Sequence, residues 1–202
     1  MGMVFVAQTI SDDHIENILN DPLLIWLFLS PDDSSIYVEE VRKNKTGFFA
    51  KLLGRKADKN TIQVPLIEYK TGENRSIDLD KAWHGIHYLL THSEWKADPP
   101  LNFITCGGRV VGNIEVGYGT ARALTSTEIE QINEAFKSID HQYLKKRFNP
   151  QDMMKKKIYP EIWNRNAEDD ETLSYCIEYF DILKQFILET AENKMGLLVY
   201  LT

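Results

Sequence analysis

One stretch of the sequence carries residues whose types and spacing suit metal binding or acid–base chemistry. Asp80, His84 and His87 lie at positions i, i+4 and i+7, so on a helix their side chains form one stripe. A carboxylate and two imidazoles can hold a divalent cation, and imidazole also exchanges protons near neutral pH. A structural role is favoured, in which the two histidines hydrogen-bond to backbone or tyrosine groups and Asp80 belongs to the first helical turn. These residues flank an apolar face, and no completing ligand or base is visible elsewhere. We therefore expect no cofactor and no metal, with this stripe as the weak candidate.

A second group combines arginines and tyrosines with neighbouring glycines. Arg109 and Arg122 suit carboxylate or phosphate recognition, and the glycines would let a ligand approach the backbone closely. Neither glycine run continues into the Gly-Lys-Ser/Thr of a phosphate-binding loop, so a structural role for these turns is favoured. Arg122 is alternatively a buried partner of a carboxylate. The full set of candidate ligand-binding residues is Trp83, His84, His87, Arg109, Tyr118, Arg122 and Tyr159.

The elements that must position these residues are a helix and a small sheet. Apolar residues at helical spacing predict a helix over Asp78–Leu90, which carries both histidines. The apolar, β-rich ends of the chain, Met1–Ala7 and Leu197–Leu201, predict an N-terminal and a C-terminal strand. We expect the two strands to meet in one small sheet packed by several amphipathic helices, which is an α+β fold.

Three further helices are indicated by their caps and apolar periodicity. Ser11 followed by two aspartates predicts a short first helix. Thr125 and Glu128 form a capping box, and the following pattern predicts one long helix that ends at Asn149. The longest helix is predicted over Asp169–Asn193.

Residues 36–73 are the least regular part of the sequence and are predicted to be an insertion or subregion. Its basic and aromatic stretch, Arg42–Lys59, either contacts an anionic surface or acidic partner or packs down on the domain. A second basic cluster, between Lys145 and Lys157, is interpreted as helix electrostatics, because cations are favoured at helix C-termini. The acids of Glu168–Glu171 are explained in the same way at the next helix start.

Length and composition set the bounds on function. The chain has 202 residues and a formal net charge of −7, which argues against a dedicated nucleic-acid binder. The two cysteines, Cys106 and Cys176, are too few for a disulfide framework and are expected to be buried. The N-terminus lacks the features of a signal peptide, and the longest apolar run, Leu23–Leu29, is too short to span a bilayer. We expect a soluble, cytoplasmic protein.

Four segments together resemble a known family. They are Met1–Met3, Asp78–Leu90, Gly117–Leu124 and Ile158–Trp163. Their order and spacing are similar to those of the YfbM-like family of bacterial proteins, a domain of unknown function. The resemblance covers nearly the whole chain and implies one compact α+β domain over residues 1–202, least matched at 36–73. Thr120 departs from the proline that commonly follows Tyr-Gly in the family, and the resemblance implies no activity.

Two hypotheses of function follow. The first is a non-catalytic domain that binds another protein, for example an immunity-type partner of a bacterial toxin. It is favoured by the lack of a catalytic signature and by the acidic surface. The second is a small-ligand-binding or metal-dependent enzyme that uses the Asp80, His84 and His87 face with Arg122 nearby. A polar pocket joining the Trp83 helix to the Tyr118–Arg122 turn would favour the second.

Overall fold

The first and the last strand of the chain lie side by side in the middle of the sheet. The structure is a computed structural model that describes residues 2–45, 62–164 and 171–202. Within these residues it contains an antiparallel sheet in the order β2-β1-β5-β4-β3. The strands are β1 (Phe5–Ile10), β2 (Ser76–Asp78), β3 (Arg109–Gly117), β4 (Gly119–Leu124) and β5 (Gly196–Leu201). Because β1 pairs with β5 over its whole length, the expected meeting of the chain ends is confirmed.

Helices pack on both faces of this sheet, and the α+β fold is thereby confirmed. They are α1 (Asp12–Asn20), α2 (Ile25–Leu29), α3 (Ser35–Lys45), α4 (Trp83–Thr91), α5 (Ser126–Phe136), α6 (His141–Arg147), α7 (Pro150–Lys155) and α8 (Thr172–Glu192). The alternation of side chains along β5 divides the core. Leu197 and Val199 pack with α4, α5 and α8, whereas Leu198 packs with α1 and α2 on the other face.

The caps predicted from the sequence are present. The Ser11 side chain accepts a hydrogen bond from the backbone N–H of His14, which begins α1. Both halves of the capping box between Thr125 and Glu128 are formed at the start of α5. The prediction of one long helix after this box is wrong. The chain leaves α5 after Phe136, and Asp140 caps a separate helix, α6.

The helix predicted over Asp78–Leu90 begins later than expected. Residues 76–78 form β2 and pair with β1, and Asp80 begins a 3-10 turn before α4 starts at Trp83. Asp80 has a φ of 39°, which lies in the left-handed region. The stripe predicted for Asp80, His84 and His87 is therefore interrupted, since only the two histidines lie on α4.

The other differences between prediction and structure are in segments whose apolar residues show no clear periodicity. The glycine-rich turns around residues 106–119 are a hairpin, in which β3 and β4 pair through two register shifts. Residues 36–45, expected to be irregular, lie within α3. The remainder of the basic and aromatic stretch up to Lys59, and the acids at 168–170, lie outside the described residues.

Gly85 allows α4 to approach its neighbours closely. A methyl group at this position would lie 2.5 Å from the Trp163 ring and 2.8 Å from the Sγ atom of Cys176. Larger residues would therefore push α4 away from α8. Cys176 is buried, as expected, whereas Cys106 is only partly buried.

Candidate functional site

His84 connects two segments that are distant in sequence. Its Nδ1 atom accepts a hydrogen bond of 2.9 Å from the backbone N–H of Tyr159. Its Nε2 atom is bonded to the carbonyl oxygen of Glu94. Because a backbone N–H can only donate and a carbonyl can only accept, these partners require the neutral imidazole with its proton on Nε2.

The surroundings of His84 favour the same neutral form. Burial of the ring lowers its pKa below the ordinary value, although the Glu94 carbonyl acts in the opposite direction. The ring stacks on Trp83, with their centroids 4.7 Å apart, and Trp95 meets it edge-on at 6.1 Å. With both nitrogens bonded to backbone groups, His84 has no lone pair left for a metal.

His87 lies deeper in the core and is fully buried. Burial, with smaller contributions from the charges of His84 and Arg122, lowers its pKa to about 4. The Thr105 hydroxyl donates to the carbonyl of Trp95 and lies 3.3 Å from Nε2 of His87. His87 is thus a neutral polar group inside the apolar core.

Asp80 does not join the histidines. Its carboxylate accepts a hydrogen bond of 2.7 Å from the hydroxyl of Tyr175 on α8. No group of three or more metal-ligating side chains comes together anywhere in the described residues. The arrangement gives the weak metal candidate no support.

Trp83 and Tyr159 come together and hold the N-terminal segment, although the sequence groups Tyr159 with the two arginines and Tyr118. The Trp83 indole donates to the carbonyl of Met3, and the backbone N–H of Met3 donates to the Tyr159 hydroxyl. Their rings stack with centroids 5.9 Å apart. These contacts fix the chain just before β1, so the polar atoms of both side chains serve the fold.

The other candidate residues lie apart from this group. Arg122 donates to the carbonyls of Phe103, Ile104 and Gly107 and so orders the loop before β3. Its expected partner, a carboxylate, is replaced by these backbone oxygens. Burial lowers its pKa to about 10, which leaves it charged at neutral pH.

Two candidates are on the outer hairpin. Arg109 forms an exposed ion pair of 2.8 Å with Glu16. Tyr118 joins β3 to β4, and its side chain is 53 % exposed. Neither residue contacts the histidines, so the structure does not assemble the seven candidates into one site.

An open cleft instead lies beside His84. Its volume is about 470 Å³, and it is lined by His84, Glu94, Trp95, Lys155, Lys156 and Lys157. We call it the Trp95 cleft. The Trp95 side chain is 43 % exposed although its ring packs edge-on against Trp83 at 6.3 Å. An aromatic ring that packs on one side and is open to solvent on the other is a typical contact residue.

The positive charge of the cleft comes from the end of α7. Lys156 is paired with Asp152 at 2.7 Å, and this carboxylate also accepts from the Tyr88 hydroxyl. In the part of the chain that is described, neither Lys155 nor Lys157 lies within ion-pair distance of a carboxylate, although the charge of Lys155 contributes to lowering the pKa of Asp152. The Glu94 side chain is the one acidic group among the lining residues. The cleft is therefore basic on a chain whose net charge is −7.

Sequence reasoning missed this cleft for a clear reason. The helix dipole explains why the lysines are at a helix end, but it does not indicate which residues lie across the cleft from them. Trp95 is in a loop without periodicity, and some sixty positions separate it from Lys155. One signal was available: a tryptophan between Glu94 and Lys96 in a polar loop is a large apolar residue without an apolar neighbour.

Comparisons with known proteins agree with this architecture. A family model described as a domain of unknown function, DUF1877, matches residues 1–200. The chain belongs to this family. The crystal structure of YfbM from Escherichia coli, a protein of unknown function, matches the DUF1877 chain with a TM-score of 0.62 and 14 % identity. The match covers 98 % of this chain and 99 % of that one, and it shows the fold alone.

The resemblance to the YfbM-like family is thus confirmed. No curated protein matches the chain. None of the described helices is long and apolar enough to cross a membrane. Neither the description of the family nor that of YfbM names a ligand or a reaction.

Proposed function

We propose that this DUF1877 protein is a non-catalytic interaction protein of the bacterial cytoplasm, which binds an acidic segment of a partner protein in the Trp95 cleft. The observation that carries the proposal is the combination of an exposed, rigidly packed Trp95 with two lysines that form no ion pair among the described residues. An aromatic anchor beside lysine side chains suits a peptide with carboxylates next to an apolar side chain.

The contacts made by the side chains that are best suited to catalysis support a non-catalytic role. Both nitrogens of His84 are bonded to backbone groups, and the Arg122 guanidinium donates to three carbonyls. His87 is fully buried and has no access to a substrate. A general base must reach the proton that it removes, and these groups do not.

The charge distribution determines which partners the cleft attracts. A chain of net charge −7 repels acidic partners over most of its surface, and the basic cleft is the place where such a partner is attracted. The same net charge opposes nucleic acid, whose phosphates need an extended basic surface. An immunity-type partner of a bacterial toxin is one form of the proposed interaction.

Affinity capture with matched baits tests the proposal. The wild type and two charge-reversal variants, Lys155→Glu/Lys157→Glu and Lys145→Glu/Lys146→Glu, are used on extracts of the native cell. Both lysine pairs include the last turn of a short helix, so the cost to the helix dipole is similar, but the second pair does not line the cleft.

We expect mass spectrometry to find a protein with an acidic segment that the wild type and the Lys145 variant retain and that the Lys155 variant loses. Equal retention by all three baits contradicts the proposed surface. Retention of a small molecule without any protein, analysed in the same samples, supports the ligand-binding enzyme instead.

A further inference from the structure

The Trp95 cleft has two walls that belong to different parts of the chain. One wall is the loop of Glu94 and Trp95, which follows α4. The other is formed by Lys155–Lys157 at the end of α7, directly before Tyr159. His84 lies between them and is bonded to both, since Nε2 reaches the Glu94 carbonyl and Nδ1 reaches the Tyr159 N–H.

We infer that His84 is the positioning residue of the Trp95 cleft: its neutral imidazole ties the two walls together, and protonation of the ring releases one of them. This inference rests on the proposed function only for the consequence that the release weakens partner binding. The tie itself is a property of the protein alone.

The chemistry of protonation determines which wall is released. An imidazolium carries a proton on both nitrogens, so Nδ1 would then present an N–H to the N–H of Tyr159. Two donors facing each other cannot form a hydrogen bond, and that contact is lost. The bond from Nε2–H to the Glu94 carbonyl survives, because it already uses a donor. The bond between His84 and the wall of Lys157 and Tyr159 is therefore the one that breaks, while the Tyr159 hydroxyl keeps its bond from Met3 and its ring stays stacked on Trp83.

The groups around the ring set the pH at which this happens. On α4 the neighbour is His87, whose ring centroid is 6.4 Å from that of His84 and which Arg122 approaches from β4. The loop contributes Glu94, whose carbonyl and charge favour the imidazolium. The opposite wall contributes the three lysines of the cleft. Burial dominates and lowers the pKa of His84, so we expect release at a mildly acidic pH.

Charge and geometry make opposite predictions for partner binding. A positive charge gained by His84 would attract an acidic segment more strongly if the walls stayed in place. Loss of the Tyr159 bond would move Lys157 and weaken binding. A fall in affinity on acidification therefore reports the geometry of the cleft.

Nuclear magnetic resonance of the free protein tests the tie without any partner. We expect the His84 ring to show the Nε2–H tautomer at pH 7.5 and the Tyr159 amide to be protected from exchange. During an acid titration, the signals of Tyr159 and Lys157 should shift with the midpoint of His84. A Tyr159 amide that exchanges freely at pH 7.5, or that shows no coupling to His84, overturns the inference.

Three variants separate the two bonds. In His84→Asn the side-chain oxygen stands in for Nδ1, and in His84→Gln the amide nitrogen stands in for Nε2–H, whereas His84→Leu replaces neither. With an aspartate-rich peptide containing one leucine as the probe at pH 7.5, we expect Asn and Gln to weaken binding less than Leu does. We expect each lost bond to lower the affinity by at most about fivefold, because binding must then restore the tie.

The two proposals fail in distinguishable ways. If the wild type shows the coupling of His84 to Tyr159 but binds no acidic probe, the proposed function is overturned and the tie stands. If the wild type binds the probe and the affinity rises steadily from pH 7.5 to 5.5, the positioning role is overturned. The resonance titration of the wild type remains decisive even where a variant does not fold.

Discussion

Tyr159 donates its backbone N–H to Nδ1 of His84 over 2.9 Å and thereby joins positions that are 75 residues apart in the chain. This one bond explains why a histidine that appears suited to catalysis is not available for it. It also helps to form the Trp95 cleft, because the bond connects the segment after α7 to α4 beside the loop of Trp95. His84, which the sequence suggests as a chemically active residue, therefore also lines the cleft that forms when the chain folds.

Glu73 stabilises the start of α1, and its replacement by neutral glutamine should lower the free energy of unfolding. Its carboxylate accepts hydrogen bonds from the backbone N–H groups of Ser11 and Lys70 at 2.6 and 2.7 Å and from His14 Nδ1 at 2.7 Å. Glu73→Gln keeps the shape but weakens these charge-assisted bonds. We expect a loss of about 1–3 kcal/mol in the free energy of unfolding at pH 7, measured with urea.

The pH dependence gives the sign of this effect. Burial raises the pKa of Glu73, but the hydrogen bonds outweigh it and the pKa is lowered below its ordinary 4.5. The stabilisation is therefore complete above about pH 4.5 and is lost as the pH falls through the lower folded value. The difference between wild type and Glu73→Gln should shrink in acid. The exposed Glu68→Gln serves as the control, and an equal loss in both variants would refute this role of Glu73.

His87 should make the fold sensitive to acid. Its folded pKa of about 4 lies below the ordinary 6.5, so the unfolded state binds the proton first as the pH falls. Stability should fall between about pH 6.5 and pH 4 by about 3 kcal/mol, and His87→Phe should flatten this dependence. A resonance titration locates the midpoint directly, and a value near 6.5 in the folded wild type would show that this account of His87 is wrong.

Arg122 and Arg109 should respond differently to the same substitution. Lysine cannot reproduce the fork with which Arg122 contacts the carbonyls of Phe103, Ile104 and Gly107. We expect Arg122→Lys to lose about 2 kcal/mol of unfolding free energy, because buried carbonyls are left without donors. Arg109→Lys alters an exposed pair and should change stability by less than about 1 kcal/mol. Similar losses in chemical denaturation would contradict the structural role of Arg122.

The parts of the fold that the sequence predicts are those with strong local signals. Ser11 and the capping box of Thr125 and Glu128 mark helix starts through bonds within three residues, and both are formed. The terminal strands are apolar on both faces because helices cover both sides of the sheet. The hairpin of β3 and β4 lacks such a signal, since its register shifts break the alternation and its glycines resemble ordinary turns.

The candidate site was predicted only in part. The sequence groups Tyr159 with Arg109, Tyr118 and Arg122, whereas the structure places its ring against Trp83 and its backbone against His84. The sequence cannot show that the Tyr159 backbone uses up the lone pair of His84, because that contact depends on how distant segments pack. The same holds for Trp95 and Lys157, which become neighbours of one cleft only after folding.

The most direct test of the proposed function is the affinity of an aspartate-rich peptide with one leucine, measured by calorimetry at pH 7.5. The wild type, Lys155→Glu/Lys157→Glu and the matched Lys145→Glu/Lys146→Glu variant are compared, together with an asparagine version of the peptide. Our account predicts that the wild type and the Lys145 variant bind the acidic peptide alike, while the Lys155 variant binds it at least about tenfold more weakly. Equal affinity of all three proteins, or equal binding of the asparagine peptide, would contradict it.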